Sequence, residues 1–543
     1  MPVITSNEYK IAIPHVGENE VFSKELNTLL SQTFLNRNLN ETSTVAELLK
    51  VSFKFIEDKF MELINLQTEA SFFLFVHNFH ENSCALWERK IQKLPVDIQG
   101  HELSTVRRVY KIILEQGCKL ELVGTTSFQK QIFDKRFEYL SILEDLLFLG
   151  SWAIHFSEFI SKNKLYSKSV SVELKDDTYI NKIDPNFEAV INHYQEQLDD
   201  HNKDVVICQT LEELKEIFSI SYNIDYDTIF SFIENKKEYR VSFSKLEDFI
   251  NNLSENHKYD IKTLNLIFNG LTIHKDNAMS FENCIIRNQE INRYICKPLM
   301  ILFVDKQPLY LVGYHKWKES LTYLSYNCFP FGIYPLEWKD LLEVKQFMSD
   351  KNNKHDKVLE NALINILNQN NYKNDNNVGS IFINKGKSIP IRKLKGVGEI
   401  DLIFIDELKK KLYICECKHN RSKFDFAGWY RDHMSFKKDY EAQLLGKINW
   451  AKDNVNIILG HLENKYKVGI DNKEEYTIEG IFLINAPTLY IYDSVYPTYT
   501  IYLFKKWLLE KEILSQFILE NSVTGEQTKL IQPFLTNIEL MNS

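Results

Sequence analysis

A chain of 543 residues is too long for one ordinary core, so two to four domains are expected. Its 44% hydrophobic and 26% charged residues are ordinary for folded globular chains and argue against long disorder. The net charge of -9 excludes a globally basic nucleic-acid trap, so any nucleic-acid site must be a local basic patch.

The first 160 residues or so read as helices. STVAELLKVSFKFIEDKFMELINL and FEYLSILEDLLFLGSWAIHFSEFI both carry apolar residues at spacings of three and four. The run from Leu146 to Phe156 is too short to span a bilayer and contains His155, so no membrane partner is expected. The polar, proline-bearing KDDTYINKIDPN, around 175–186, reads as a linker. VICQTLEELKEIFSI and SKLEDFINNLS read as helices, and PLMILFVDKQPLYLVGYHKW as two strands joined at Asp305 and Lys306. A boundary is placed near residue 345. The expected organisation is a mainly helical domain at 1–170, a mixed α+β accessory region at 171–345, and an α/β domain at 346–543.

The last region has a legible order. Lys357 to Gln369 is a helix, Gly379 to Ile391 a strand with a polar break, and Gly398 to Asp406 and Lys411 to His419 are strands. A helix from Asp439 to Asn454 and a strand from Thr477 to Ala486 follow. The string αβββαβ makes a small domain with a mixed sheet.

Three charged residues interrupt its two most apolar strands: Asp401, Glu416 and Lys418. If Asp406 pairs with Lys411 across the four-residue loop ELKK, the constant sum of antiparallel partners sets Asp401 opposite Glu416. Opposed side chains share a face at roughly 5 Å between Cβ atoms, and Lys418 shares that face two residues on. Like charges there are destabilising, and burying them unpaired costs several kcal/mol more. A divalent cation removes the conflict. Mg²⁺ takes one or two carboxylates, keeps several waters and accepts a phosphate oxygen.

This D-(X)n-E-C-K pattern, GEID with Asp401 and ECK with Glu416 and Lys418, resembles the PD-(D/E)XK nuclease superfamily over roughly residues 350–490. The resemblance implies a restriction-endonuclease-like αβββαβ core and a Mg²⁺-dependent nuclease, with Mn²⁺ as a substitute. It makes Asp401 and Glu416 metal ligands and Lys418 a catalytic residue serving the nucleophile. The family's first-helix acid would be Glu360, a further metal ligand, and its glutamine on the following helix would be Gln443. Ile400 stands where the motif's proline often does. DNA is the implied substrate, and the large N-terminal region suggests a role in recognition, control or defence against foreign DNA. An RNase on the same fold, or a nuclease-like module that binds without cutting, are the alternatives. Many members of the superfamily dimerise, so a homodimer or a regulatory protein partner is a further expectation.

From Lys387 to Lys438 there are thirteen Lys/Arg and seven Asp/Glu, a net of +6. Arg392, Lys393 and Lys395 precede the acidic strand; Arg421, Lys423 and Arg431 follow it and form the expected nucleic-acid contacts. Phe424, Phe426, Trp429 and Tyr430 lie among them. Basic residues interleaved with aromatics suit a phosphate backbone and exposed bases, though the same aromatics could pack a loop onto the core.

Other signals read as structural. Lys418 could simply pair with Glu416 in an ion cluster at a sheet end. Glu360 could be a solvated helix acid, Gln443 an exposed helix polar residue, and Glu399 faces away from Asp401. HNFHE, at His77 to Glu81, reads as a helix-surface pair. Cys415 and Cys417 read as small buried hydrophobes. KGKS lacks the glycine a P-loop needs. The eight scattered cysteines form no CxxC pair, which argues against a disulfide framework or zinc ribbon. MPVITSNEYK lacks the order of a signal peptide, so a cytoplasmic location is expected.

Overall fold

The computed structural model describes residues 3–204, less 7, 15–19, 97, 99, 167 and 176–178. It also describes 215–216, 218–219, 222, 242–510 less 245 and 385–386, 516–520, and 527–531. The chain divides into two compact units, residues 1–182 with 207–352, and residues 183–206 with 353–543. The expected regions 1–170 and 171–345 thus fall largely within one unit. Among the described residues no helix is long and apolar enough to cross a membrane.

The first unit is built on long helices, Thr42–Asn65, Ala70–Ile91, Gly100–Gly117 and Arg136–Leu165. Strands Leu299–Val304 and Gln307–Val312 form the expected hairpin. Asp305 and Lys306 both have positive φ, as a two-residue turn matching the strand twist requires. HNFHE is not a surface pair. The helix Ala70–Ile91 is buried nearly all round, and His77 and His80 are fully enclosed. The passage from the first unit to the second falls between Lys182 and Ile183, inside the expected linker, though the described part of that segment is ordered. Tyr179–Ile183 is the outer strand of a three-stranded sheet, and Asp184 then caps a helix by accepting the Phe187 N–H at 3.0 Å. Most of the helix expected at 206–220 lies outside the described residues.

The second unit holds a five-stranded mixed sheet covered on both faces. Its elements are α1 (Leu342–Gln369, from Asn353 on), β1 (Asn374–Val378), β2 (Ile400–Asp406) and β3 (Lys411–Lys418). Next come α2 (Phe426–Ser435), α3 (Glu441–Asp453), α4 (Val455–Tyr466), β4 (Thr477–Ile484), β5 (Thr498–Thr500) and α5 (Ile501–Glu510). The sheet order is β1-β2-β3-β4-β5. The first two pairings are antiparallel and the last two parallel.

Strict alternation explains why both middle strands are apolar throughout. Leu402, Phe404, Tyr413 and Cys415 pack with Leu359, Leu363 and Leu367 of α1 and Phe504 of α5. Ile403, Ile405, Leu412 and Ile414 pack with Leu444, Ile448 and Ala451 of α3 and Leu459 of α4. The first strand differs from expectation. The sheet's first strand is the polar NDNNV of β1, while 379–391 folds as a separate small hairpin, Ile381–Asn384 with Lys387–Ile389. An edge strand needs one ladder of hydrogen bonds and few apolar side chains, so NDNNV carries no strand signal.

Two glycines bring α3 close to the sheet. Gly480 of β4 leaves room for Ile448 and Leu444. Gly446 of α3 receives the carbonyl oxygen of Gly396, in a loop that turns through positive φ at Gly396 and Gly398. Any Cβ at Gly446 would strike that backbone oxygen. The same loop leads directly into Asp401.

Candidate active site

The β2–β3 register is the expected one. Asp406 pairs with Lys411, and the ladder runs to Leu402–Cys415. One step beyond that last pair stand Asp401 and Glu416. There the Asp401 carboxylate itself takes over, with Oδ2 accepting the Cys417 N–H at 2.7 Å. β3 continues against β4 on its other side as far as Lys418–Ile484. The acids are therefore held by rigid strands, not by a loop.

Alternation turns Asp401, Glu416 and Lys418 toward the α3 layer, with Ile403, Ile405, Leu412 and Ile414. Glu416 is only 3% exposed. Lys418 Nζ donates to Glu416 Oε1 at 2.7 Å and to Gln443 Oε1 at 3.2 Å. It also lies 4.4 Å from the ring centre of Tyr440. Tyr440 closes a single π turn, Phe436–Tyr440, that leads into α3. Four of the expected site residues, Asp401, Glu416, Lys418 and Gln443, are thus brought together.

Lys447 belongs with them and was not expected. It lies one turn beyond Gln443 on α3, and its side chain is buried. Its Nζ donates to Glu416 Oε2 and stands 3.8 Å from Asp401 Oδ1. The sequence held a signal. Lys447 interrupts the apolar stripe Leu444, Ile448, Ala451, where a charge must have a partner.

Glu360 comes from the other layer, held on β1 beside the same sheet end. α1 packs on the opposite face of the sheet, with Cys415. Glu360 Oε2 accepts Asn377 Nδ2 of β1 at 2.7 Å. Burial chiefly, and then the charges of Asp401, Cys415 and Glu360, push the Cys417 thiol up, so Glu360 is felt on the cysteine face. Glu399 forms an ion pair with Arg392.

The basic residues divide. Lys393 and Lys395 are exposed beside Arg392. Lys423 is half-buried, and burial followed by Arg421 lowers its pKa. The aromatics among them are mainly core. Phe426 and Trp429 are buried with ring centres 4.5 Å apart, and Trp429 Nε1 donates to the Lys423 carbonyl at 2.9 Å. Phe424 is exposed.

Burial, and then the Glu416 carboxylate, push the Asp401 carboxyl up to about 7, against Lys447 and the Cys417 N–H. Its folded pKa therefore lies above the unfolded value. Between about pH 4 and about pH 7 the folded chain keeps a proton that the unfolded chain has lost, so stability falls as pH rises through that window. In EDTA, the melting temperature of the wild type should fall relative to Asp401→Asn as pH rises from about 5 to about 8. A divalent cation should close the gap. Parallel melting profiles would show that Asp401 titrates as an ordinary surface acid.

The donor set fits a hard divalent cation. Two carboxylates converge on one cationic centre, and that centre is at present the Lys447 ammonium. A second grouping, in the first unit, fits less well. Cys84 Sγ lies 3.6 Å from His80 Nε2 and 3.7 Å from Glu319 Oε2. Arg107, Lys111 and Lys316 already surround Glu319 at 2.7, 2.9 and 3.0 Å, and these three cations would repel a metal ion.

Comparison of the chain with family models, with curated proteins and with solved structures gives no match.

Proposed function

We propose that the second unit is a metal-dependent nuclease, a phosphodiester hydrolase acting on DNA, on a core of the PD-(D/E)XK type. The observation that carries this reading is the Asp401–Glu416 pair. Two carboxylates occupy a sheet end where stability alone would place Val or Ile, and burial, then the Glu416 charge, raise the Asp401 carboxyl. Asp401 and Glu416 would hold Mg²⁺, or Mn²⁺ in its place. When bound, the cation neutralises charge at the phosphodiester.

The remaining work falls to the chain's own residues. Lys418 is held by Glu416, Gln443 and the Tyr440 ring, which fixes its ammonium at the rim of the pair. From there it orients the attacking water and offsets negative charge growing on the phosphorus oxygens. Gln443 fixes Lys418 and offers its amide N–H group to water or phosphate. Arg392, Lys393 and Lys395, all exposed, would meet the polymer backbone. The first unit then serves recognition or control, as expected of a restriction or defence nuclease.

A second reading is favoured by Lys447. Lys447 between the two carboxylates, together with Lys418 on Glu416, neutralises them without any metal, as in a structural ion cluster of a module that binds nucleic acid or a partner without cutting. Incubating the full chain with plasmid, single-stranded DNA and RNA, in Mg²⁺, Mn²⁺ or EDTA, separates the two. Cleavage that needs the cation is expected, strongest on DNA. An RNA-only product would move the reading to an RNase, and identical lanes in EDTA and Mg²⁺ would sink it.

A further inference from the structure

Beside the acidic strand lies a cleft of about 440 Å³, lined by Asp375, Asn377, Phe382, Arg392, Lys393 and His461 among others. Its size is that of a small-ligand site. The register places it next to the acids. Val378 pairs with Ile400, the residue before Asp401, and Arg392 is ion-paired to Glu399.

Phe382 is 57% exposed, which is unusual for an aromatic held this firmly. One face of its ring stacks on His461, with centroids 5.6 Å apart and planes 7° from parallel. His461 is itself buried and fixed at both nitrogens. The Phe382 N–H donates to Nδ1 at 3.1 Å, so Nε2 carries the proton and donates to Asp375 Oδ2 at 2.7 Å. Lys465 neutralises Asp375 through Oδ1 at 2.6 Å. With one face on His461, more than half of Phe382 still meets solvent. Gly379 makes room for the Arg392 guanidinium, since a Cβ there would sit 3.2 Å from its Nε. The Arg392 side chain is 66% exposed, and its fork has more donors than Glu399 uses.

We propose that this cleft takes one unpaired nucleobase, stacked on the face of Phe382 away from His461, with its flanking phosphate on Arg392 and Lys393. The proposal rests on the nuclease reading and deepens it, by naming a single-stranded segment as the feature recognised beside the acids. A rigid aromatic platform accepts any base, because every base has a π face. Asp375 is neutralised by Lys465 and Glu399 by Arg392, which leaves Lys393 and the spare donors of the Arg392 fork for a phosphate. A base still paired in a duplex cannot offer its face to the ring.

The test uses the full chain in EDTA, where metal-dependent cutting is suppressed. A single-stranded DNA oligonucleotide carrying one 2-aminopurine is titrated with wild type, Phe382→Leu and Phe382→Tyr. Wild type and Phe382→Tyr should quench the fluorophore and bind alike. Phe382→Leu keeps apolar bulk on His461 but should lose the quench and bind about tenfold more weakly. Blunt duplex should bind all three equally. The proposal is overturned if Phe382→Leu binds and quenches like wild type. It is equally overturned if single strand and duplex weaken together, or if wild type binds no single strand. Ring-dependent binding by a chain that never cuts in Mg²⁺ would remove the nuclease reading and keep the cleft. Mg²⁺-dependent cutting with ring-independent binding would do the reverse.

Discussion

Asp401→Ala should abolish Mg²⁺-dependent cleavage and leave a chain that is folded and no less stable. Lewis-acid stabilisation of a phosphoryl transition state is worth several kcal/mol, so losing one of two ligands should slow single-turnover cutting by roughly a thousandfold or more. The stability half of the result is what makes it informative. Asp401 is partly buried beside Glu416 and held above its ordinary range, so in EDTA near neutral pH its ionised form opposes folding. Removing it relieves that cost, which is set against the loss of the acceptor for the Cys417 N–H. A residue kept for structure would behave in the opposite way, with a lower melting temperature and an unchanged output. Measuring plasmid nicking and thermal unfolding on the same preparation decides between the two. A variant that melts lower and cuts normally would return Asp401 to the ion-cluster reading.

Lys447→Met should show the complementary pattern. It leaves Glu416 without the cation on its Oε2 and Asp401 without its nearest positive neighbour. Breaking a buried charge pair by removing one partner costs about 3–5 kcal/mol, and the loss should appear in urea unfolding in EDTA. If Lys447 occupies the position a divalent cation would take, Mn²⁺ should restore most of that stability to the variant. The same cation should stabilise the wild type far less, since there it must displace an ammonium already in place. A variant equally unstable with and without Mn²⁺ would assign Lys447 a purely structural part.

Much of this site can be read from the sequence because strands have a period of two and hairpins a fixed register. Once Asp406 is paired with Lys411, the common face of Asp401, Glu416 and Lys418 follows. The ladder observed to Leu402–Cys415 agrees with that register. Gln443 is legible only through the family resemblance, and α3 carries it to Lys418. Lys447 was missed because a lysine on a helix is ordinarily solvated. Only its place in the stripe of Leu444, Ile448 and Ala451 marks it as enclosed. Glu360 is the reverse case. Its helix was identified, but a helical wheel does not say which face of the sheet the helix covers, and α1 covers the cysteine face. The strand NDNNV gave no signal because edge pairing uses backbone groups that every residue has. Phe426 and Trp429 looked like base-stacking residues because aromatics among basic residues read the same way whether a loop packs inward or stands open. Burial decides it, and burial is set by tertiary contacts.

Chain distance sets the order in which the acids meet their counter-charge. The β2–β3 hairpin closes over a short turn, and the Asp401–Cys417 bond spans only 16 residues. The Lys447–Glu416 pair spans 31 residues, and the bond from Lys411 to Glu479 across β3 and β4 spans 68. Longer loops cost more entropy to close and are slower to form. By that order the hairpin assembles with its two carboxylates still hydrated, and the docking of α3, ahead of the more distant β4, dries the pair and delivers Lys447 together. Cation and desolvation arrive on the same helix, so the growing chain need never bury the two acids bare.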